Sequence, residues 1–263
     1  METVKVKVYA KINLYLDVTG VRADGYHELD MLNVSANIFD TVRACKSDKN
    51  LVFMDGRQVA QDNTAYKSLA LLEKNFNVKM KIEIQKGIPF SAGMGGSSAD
   101  ASGVFYCAHK LYGIPIENLL PLALKVGCDV PYMIYGGGAI VRGAGEIVIS
   151  KTMPQMFLVV CQQEYGASTK DIYRQYDKIG ADDKNSEHFN ALEKAAISLN
   201  PKIALAKEKL LEFTDEVFMT GSGSAYVGVF DSLEEAKKCE ESIGDCIFKS
   251  TAITTLRGIE ILQ

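Results

Sequence analysis

The run Ile88-Pro89-Phe90-Ser91-Ala92-Gly93-Met94-Gly95-Gly96-Ser97-Ser98-Ala99-Asp100-Ala101 constrains this chain more than any other stretch. Its glycines let the backbone approach an anion closely. The small residues Ala99, Ala101, Ser102, Gly103 and Ala108 predict a close-packing helix over 97–112 that opens directly out of the turn. Such a helix aims unpaired amides and the positive end of its dipole into the turn, an arrangement suited to phosphate. A Walker A loop is excluded, because no Lys follows the glycines, and no G-x-G-x-x-G dinucleotide fingerprint can be read in this stretch. Read alone, a flexible turn before a helix explains the same residues about as well. A second cluster, Thr220-Gly221-Ser222-Gly223-Ser224-Ala225, reads by itself as a tight turn between strands.

Around this turn the hydrophobic periods predict an α+β chain. Val4, Val6 and Val8, then Ile12, Leu14 and Leu16, and later Met80, Ile82 and Ile84, alternate as half-buried strands. Helical spacing over Asn63–Phe76, with Asp62 or Asn63 as cap, and over Ile116–Lys125, with Gly127 as a left-handed cap, completes the first half with strands at 139–142 and 146–149. The pattern changes at Lys151–Pro154. A strand at 157–161, helices near 169–176, 188–199 and 201–213, strands at 217–219 and 225–230, a helix at 233–242 and a strand near 247–254 follow. Two lobes, 1–152 and 153–263, are therefore expected.

Charge and cysteine usage narrow the function classes. With 29 Lys+Arg against 33 Asp+Glu the net charge is −4, which argues against a chain built to grip nucleic acid or an anionic membrane. Cys45, Cys107, Cys128, Cys161, Cys239 and Cys246 form no C-x-x-C pair and read as reduced thiols, mostly core fillers, of a cytoplasmic protein. No signal sequence or membrane-length apolar run is read. His27, His109 and His188 lack zinc spacing.

The segments Pro89–Ala99 and Thr220–Ala225, in this order, resemble the phosphate-binding and C-terminal glycine motifs of the GHMP kinase superfamily. Ala10-Lys11-Ile12-Asn13-Leu14, Arg22-Ala23-Asp24-Gly25-Tyr26-His27-Glu28-Leu29, Gly127-Cys128-Asp129-Val130-Pro131, Gly137-Gly138-Ala139, Gly145-Glu146, Ser168-Thr169 and Tyr173 narrow the resemblance to the branch acting on a cytidine-diphosphate-linked methylerythritol. It extends over nearly the whole chain. The resemblance implies a two-lobe GHMP fold, with a ribosomal protein S5 domain 2-like N-terminal lobe and a ferredoxin-like C-terminal lobe, and transfer of phosphate from ATP to an alcohol. ATP and Mg²⁺ are the implied cofactors, with a small-molecule substrate as partner, no nucleic acid or membrane, and a monomer or weak homodimer.

Roles follow residue by residue as implications of the resemblance. Asp129 matches the catalytic base and Lys11 the cation beside it, which would keep the carboxylate ionised. Asn13 matches a substrate-binding amide. Tyr26 and Tyr173 match aromatics that stack on cytosine, His27 the reader of its polar edge, and Thr169 a neighbouring polar contact. On the nucleotide side the matches are Pro89, Ala92, Gly93, Met94, Gly95, Gly96, Ser97, Ser98 and Ala99, with Gly221, Ser222 and Gly223 from the second loop. Asn63 and Lys67 fall where the family approaches adenine. Without the resemblance, Lys11 reads as a solvated strand residue, Asp129 as a turn residue and Tyr26-His27 as a surface pair.

Two departures stand out. The branch commonly has Gly-Leu-Gly-Gly-Gly-Ser-Ser-Asp where this chain has Gly93-Met94-Gly95-Gly96-Ser97-Ser98-Ala99-Asp100, with one glycine fewer, and an Asn-Asp-Leu-Glu run is here Asn190-Ala191-Leu192-Glu193. The alternatives are a homoserine- or mevalonate-type small-alcohol kinase, which has no need of Tyr26, His27 and Tyr173 together, and a non-catalytic ligand sensor, which has no need of both Lys11 and Asp129.

Overall fold

The computed structural model describes residues 2–184 and 187–262. Two long strands, β1 (Thr3–Val21) and β2 (His27–Lys46), form its spine and pair antiparallel from Thr3↔Cys45 to Val21↔His27. Register shifts at Tyr9/Ala10 and Asn13/Tyr15 bracket Lys11 and Asn13. Bulges at such points re-aim side chains that a regular pleat would fix. The short β3 (Leu51–Met54) and β4 (Arg57–Gln58) lead through helix α1 (Thr64–Phe76) to β5 (Met80–Gln85), which pairs with β2 and lies parallel to β3. Asn63 caps α1 through its side chain, as the sequence predicts.

Helix α2 (Gly96–Tyr112) packs across β1 and β2. A methyl group on Gly103 would stand 2.6 Å from Val42 and 2.9 Å from Val8, so the small-residue face is what lets helix and sheet approach. Helices α3 (Ile116–Val126) and α4 (Asp129–Tyr135) follow, then the hairpin of β6 (Ala139–Gly143) and β7 (Ile147–Ser150). Gly127, expected as a left-handed cap, is instead extended at φ −178°. The turn expected at Asp129 is the first turn of α4.

In the second half, β8 (Phe157–Gln162) is followed by α5 (Thr169–Ile179), α6 (Glu193–Leu199) and α7 (Ala204–Leu211). Strands β9 (Val217–Met219) and β10 (Tyr226–Phe230), helix α8 (Leu233–Ser242) and strands β11 (Phe248–Thr255) and β12 (Ile259–Leu262) complete the chain. The helix expected over 188–199 begins only at Glu193, because Asn190 bridges to Leu16 on β1 and Ala191 donates to the Leu16 carbonyl. The one expected over 201–213 opens as a 3₁₀ turn at 201–203. β12, which sequence reading missed, pairs with β1, so residues 259–262 return to the first lobe's sheet although they follow the expected division at 152. β11 pairs with both β8 and β2, which makes one sheet path, β4-β3-β5-β2-β11-β8-β10-β9, across both halves.

All six cysteines are free; Cys107, Cys161 and Cys239 are buried and Cys246 packs against the core, whereas Cys45 and Cys128 are partly exposed. Among the described residues, no helix is long and apolar enough to cross a membrane.

Candidate active site

The two glycine-rich loops meet backbone to backbone. A Cβ on Gly93 would lie 2.1 Å from the Thr220 carbonyl, and one on Gly221 would lie 2.3 Å from the Gly93 carbonyl. Both glycines have positive φ, 76° and 56°, so close approach and conformation demand the same residue. The Ser224 and Ala225 amides donate to the Ser91 and Ala92 carbonyls at 3.0 and 3.3 Å. Gln162, fully buried at the end of β8, adds bonds from Nε2 to the Phe90 carbonyl and the Ser224 hydroxyl. Asn190 donates to the Met219 and Gly221 carbonyls, so the run that departs from the family pattern holds the second loop. Thr64, at the start of α1, donates its hydroxyl to the Ser97 carbonyl and ties that helix to the first loop.

The loops border a cavity of about 910 Å³. Of the sequence-predicted residues, Lys11, Tyr26, His27, Asp129, Thr169, Tyr173, Pro89, Ala92–Ser98 and Gly221–Gly223 line it. Asn13, Ala99 and Asn63 do not. Asn13 is buried behind Lys11, and its Oδ1 accepts from Lys11 Nζ at 2.7 Å, while its backbone amide donates to Thr220 Oγ1. It thereby orients the lysine from beneath. Ala99 is enclosed in α2, and Asn63 uses its side chain on the Ala65 amide.

Lys11 Nζ stands 3.5 Å from Asp129 Oδ2, with side chains 6% and 31% exposed. The cation is nearly dry and the carboxylate faces the cavity, so the pair sets a carboxylate oxygen that can accept a proton beside a buried cation. α4 positions Asp129 in its first turn, where a helix dipole also favours the anion. Ser98 Oγ lies on the same side, 3.7 Å from where a Cβ on Gly127 would be.

At the other end His27 stacks on Tyr173, rings 4.5 Å apart, with Nε2 2.7 Å from Asp177 Oδ1. Tyr26 is 59% exposed at the rim. His27 thus lies against one face of Tyr173. Asp177 was not singled out in sequence, although its place one turn after Tyr173 on α5 put it on the same helix face. Tyr173's phenol is pushed well above its ordinary value, first by burial and then by the charge of Asp129. Arg22 reaches across to Glu146 (2.6 Å) and fixes the Arg22–His27 turn to the β6–β7 hairpin. Partial burial pushes Glu146 upward, but its backbone amide bonds and Arg22 outweigh this and hold the carboxyl below the usual range. Thr169 Oγ1 is 3.0 Å from Ser222 Oγ, joining α5 to the second loop.

Residues 63–137 match the GHMP kinases N terminal domain and 171–247 the GHMP kinases C terminal domain. The chain is 34% identical to the 4-diphosphocytidyl-2-C-methyl-D-erythritol kinase of Clostridium botulinum (strain Eklund 17B / Type B), over 90% of this chain and 95% of that protein. It is 32% identical to the protein of that name from Thermoanaerobacter pseudethanolicus (strain ATCC 33223 / 39E) over the whole of both. A crystal structure of 4-(cytidine 5'-diphospho)-2C-methyl-D-erythritol kinase superposes with a TM-score of 0.81 at 27% identity, covering 95% of this chain and 98% of that one. Homoserine kinase from Cytophaga hutchinsonii shares the fold at a TM-score of 0.71 and 18% identity, covering 100% and 98%.

Proposed function

The chain belongs to the 4-diphosphocytidyl-2-C-methyl-D-erythritol kinases within the GHMP kinases, and from that membership we propose that it transfers the γ-phosphoryl group of ATP to the 2-hydroxyl of 4-diphosphocytidyl-2-C-methyl-D-erythritol, giving the 2-phosphate and ADP. This is the kinase step of the methylerythritol phosphate route to isopentenyl diphosphate. The observation that carries the reading is the Lys11–Asp129 pair, 3.5 Å apart, in the lining of the same cavity as both glycine loops.

In the proposed mechanism Asp129 accepts the hydroxyl proton as the oxygen attacks phosphorus and ADP leaves with the bridging electron pair. Lys11, oriented by Asn13, offsets charge on the transferring group. The amides at the start of α2 and in the second loop receive the phosphates. The cations Lys170 and Arg174, which line the cavity beside Tyr173, suit the substrate's diphosphate. His27 and Tyr26 recognise the cytosine.

No cluster of three metal-ligating side chains occurs among the described residues. A hard divalent cation that arrives on ATP needs few protein ligands, and the Ser98 hydroxyl in the cavity lining is an oxygen donor of the right kind. Mg²⁺ held there would neutralise charge between the β- and γ-phosphates. The proposed division of labour puts catalysis and the phosphate loop in residues 1–152, and the second loop with Tyr173 in 153–263.

The test is ATP consumption by the purified protein with Mg²⁺, comparing the cytidine substrate with homoserine, mevalonate and galactose. Turnover with the cytidine substrate alone is expected. Turnover with another alcohol instead would remove the roles of Tyr26, His27 and Tyr173, and binding without turnover would point to a sensor.

A further inference from the structure

Beneath the first glycine loop lies a charge cluster that no step above uses. Lys86, just after β5, places Nζ 2.5 Å from Asp40 Oδ2 on β2 and 2.9 Å from Asp100 Oδ2 on α2, with side chains 7%, 0% and 2% exposed. The same ammonium lies 3.4 Å from the Gly96 carbonyl, and the other oxygen of Asp40 accepts the Gly87 and Ile88 amides at 2.8 and 2.9 Å. Asp100 Oδ1 is buried and has no partner.

We infer that Lys86 is a positioning residue for the phosphate loop, tying the loop's entry at Gly87–Ile88 and its helical exit at Gly96–Asp100 to one buried anchor on β2. The inference rests on the reading of 89–99 as the ATP phosphate loop. Two carboxylates and one ammonium are a poor way to add stability, since an apolar trio of similar volume often does as well or better. An unpartnered buried oxygen makes the cluster poorer still as a stabilising device. What the ions supply, and apolar groups cannot, is direction: one ammonium holds β2 and the start of α2 at hydrogen-bond distances, while Asp40 holds the Gly87 and Ile88 amides. The second glycine loop grips the first at Ser91 and Ala92, and Lys11 donates its backbone amide to Met94. Thr64 and Gln162 each hold one carbonyl near the loop's ends, at Ser97 and Phe90, and the Lys86 cluster joins both ends to one anchor; the amides that would meet the phosphates start at the exit.

The test compares wild type with Lys86→Met, Asp100→Asn and the charge-free triple variant Asp40→Asn/Lys86→Met/Asp100→Asn, reading folding by thermal melting, the ADP Kd by calorimetry, and separate KM values for ATP and the cytidine substrate. Asp100→Asn should raise the ATP KM and ADP Kd about tenfold, the size of one charge-assisted hydrogen bond, while the KM for the cytidine substrate stays within about twofold. Lys86→Met should do more, and if it does not fold, the triple variant should fold and show the same loss of nucleotide affinity. A folded Lys86→Met or triple variant with unchanged ADP Kd overturns the inference, as does an equal loss for both substrates. Ser98→Ala separates the two levels. If it weakens ADP while the Lys86 variants do not, only the positioning role falls; if neither does, the loop assignment falls with it.

Discussion

The two ends of the cleft are built from different materials. The end proposed for phosphate is made of backbone: glycines packed against carbonyls at distances no side chain would permit, amide bonds between the loops, and buried side chains such as Gln162 and Asn190 that donate to loop carbonyls. The end proposed for the base is made of side chains, with Tyr26 at the rim, His27 held between Tyr173 and Asp177, and an exposed turn tied down by the Arg22–Glu146 pair. The difference teaches where generality and specificity reside. Phosphate is the same in every nucleotide triphosphate and can be met by main-chain amides, which every sequence has. A particular base must be met by particular side chains, and these can vary without disturbing the frame.

That contrast can be broken at several points. The largest effect belongs to the chemistry between the two ends: Asp129→Asn should lower kcat by about 10²–10⁴ with little change in either KM, the usual worth of a general base, and near-normal turnover would remove that role. Next comes Gly93→Ala, which puts a methyl group 2.1 Å from the Thr220 carbonyl at a φ of 76°. It should cost about 1–3 kcal/mol of stability through overpacking, seen as a lower urea midpoint, and raise the ATP KM far more than the substrate KM. Tyr26→Ala should act on the opposite end alone, weakening the cytidine substrate by about 1–3 kcal/mol, the worth of one stacked base, with the ATP KM unmoved.

The smallest effect is on pH dependence. Burial, opposed by Lys86 and reinforced by Asp40, pushes the Asp100 carboxyl up to about 7. Its unfolded value is about 3.9, so the folded state holds this proton more tightly; the stability it confers is complete below about pH 4 and is lost as the pH rises toward and through 7. Urea unfolding of wild type and Asp100→Asn at pH 5 and pH 8 should show the variant gaining on wild type at the higher pH. A constant difference would mean that Asp100 does not titrate in that range.

The same contrast explains how much could be read from the sequence. The turn at 88–96 opening into α2 was legible because glycine runs and small-residue helix faces are local signals; the reading of that turn as a phosphate site came from resemblance. The meeting of the two glycine loops was not legible, since nothing in Gly93 or Gly221 alone announces the other. Tyr26, His27 and Tyr173 were visible only through resemblance; that His27 lies against Tyr173 and leans on Asp177 depends on side-chain packing between distant segments. Asn13 illustrates the limit: the strand period places it beside Lys11, but its bonds to Lys11 and to Asn33 across the β1–β2 pair become visible only in the fold. β12 was missed because four residues after a glycine, with alternation too short to count, gain their strand character from β1.

The most direct test of separable ends is calorimetric titration of the protein with ADP and with CDP, singly and together, in wild type, Ser98→Ala and Tyr26→Ala. The account predicts that both nucleotides bind at once, that Ser98→Ala weakens ADP alone, and that Tyr26→Ala weakens CDP alone. One-for-one competition between ADP and CDP, or a single variant that abolishes both, would contradict it.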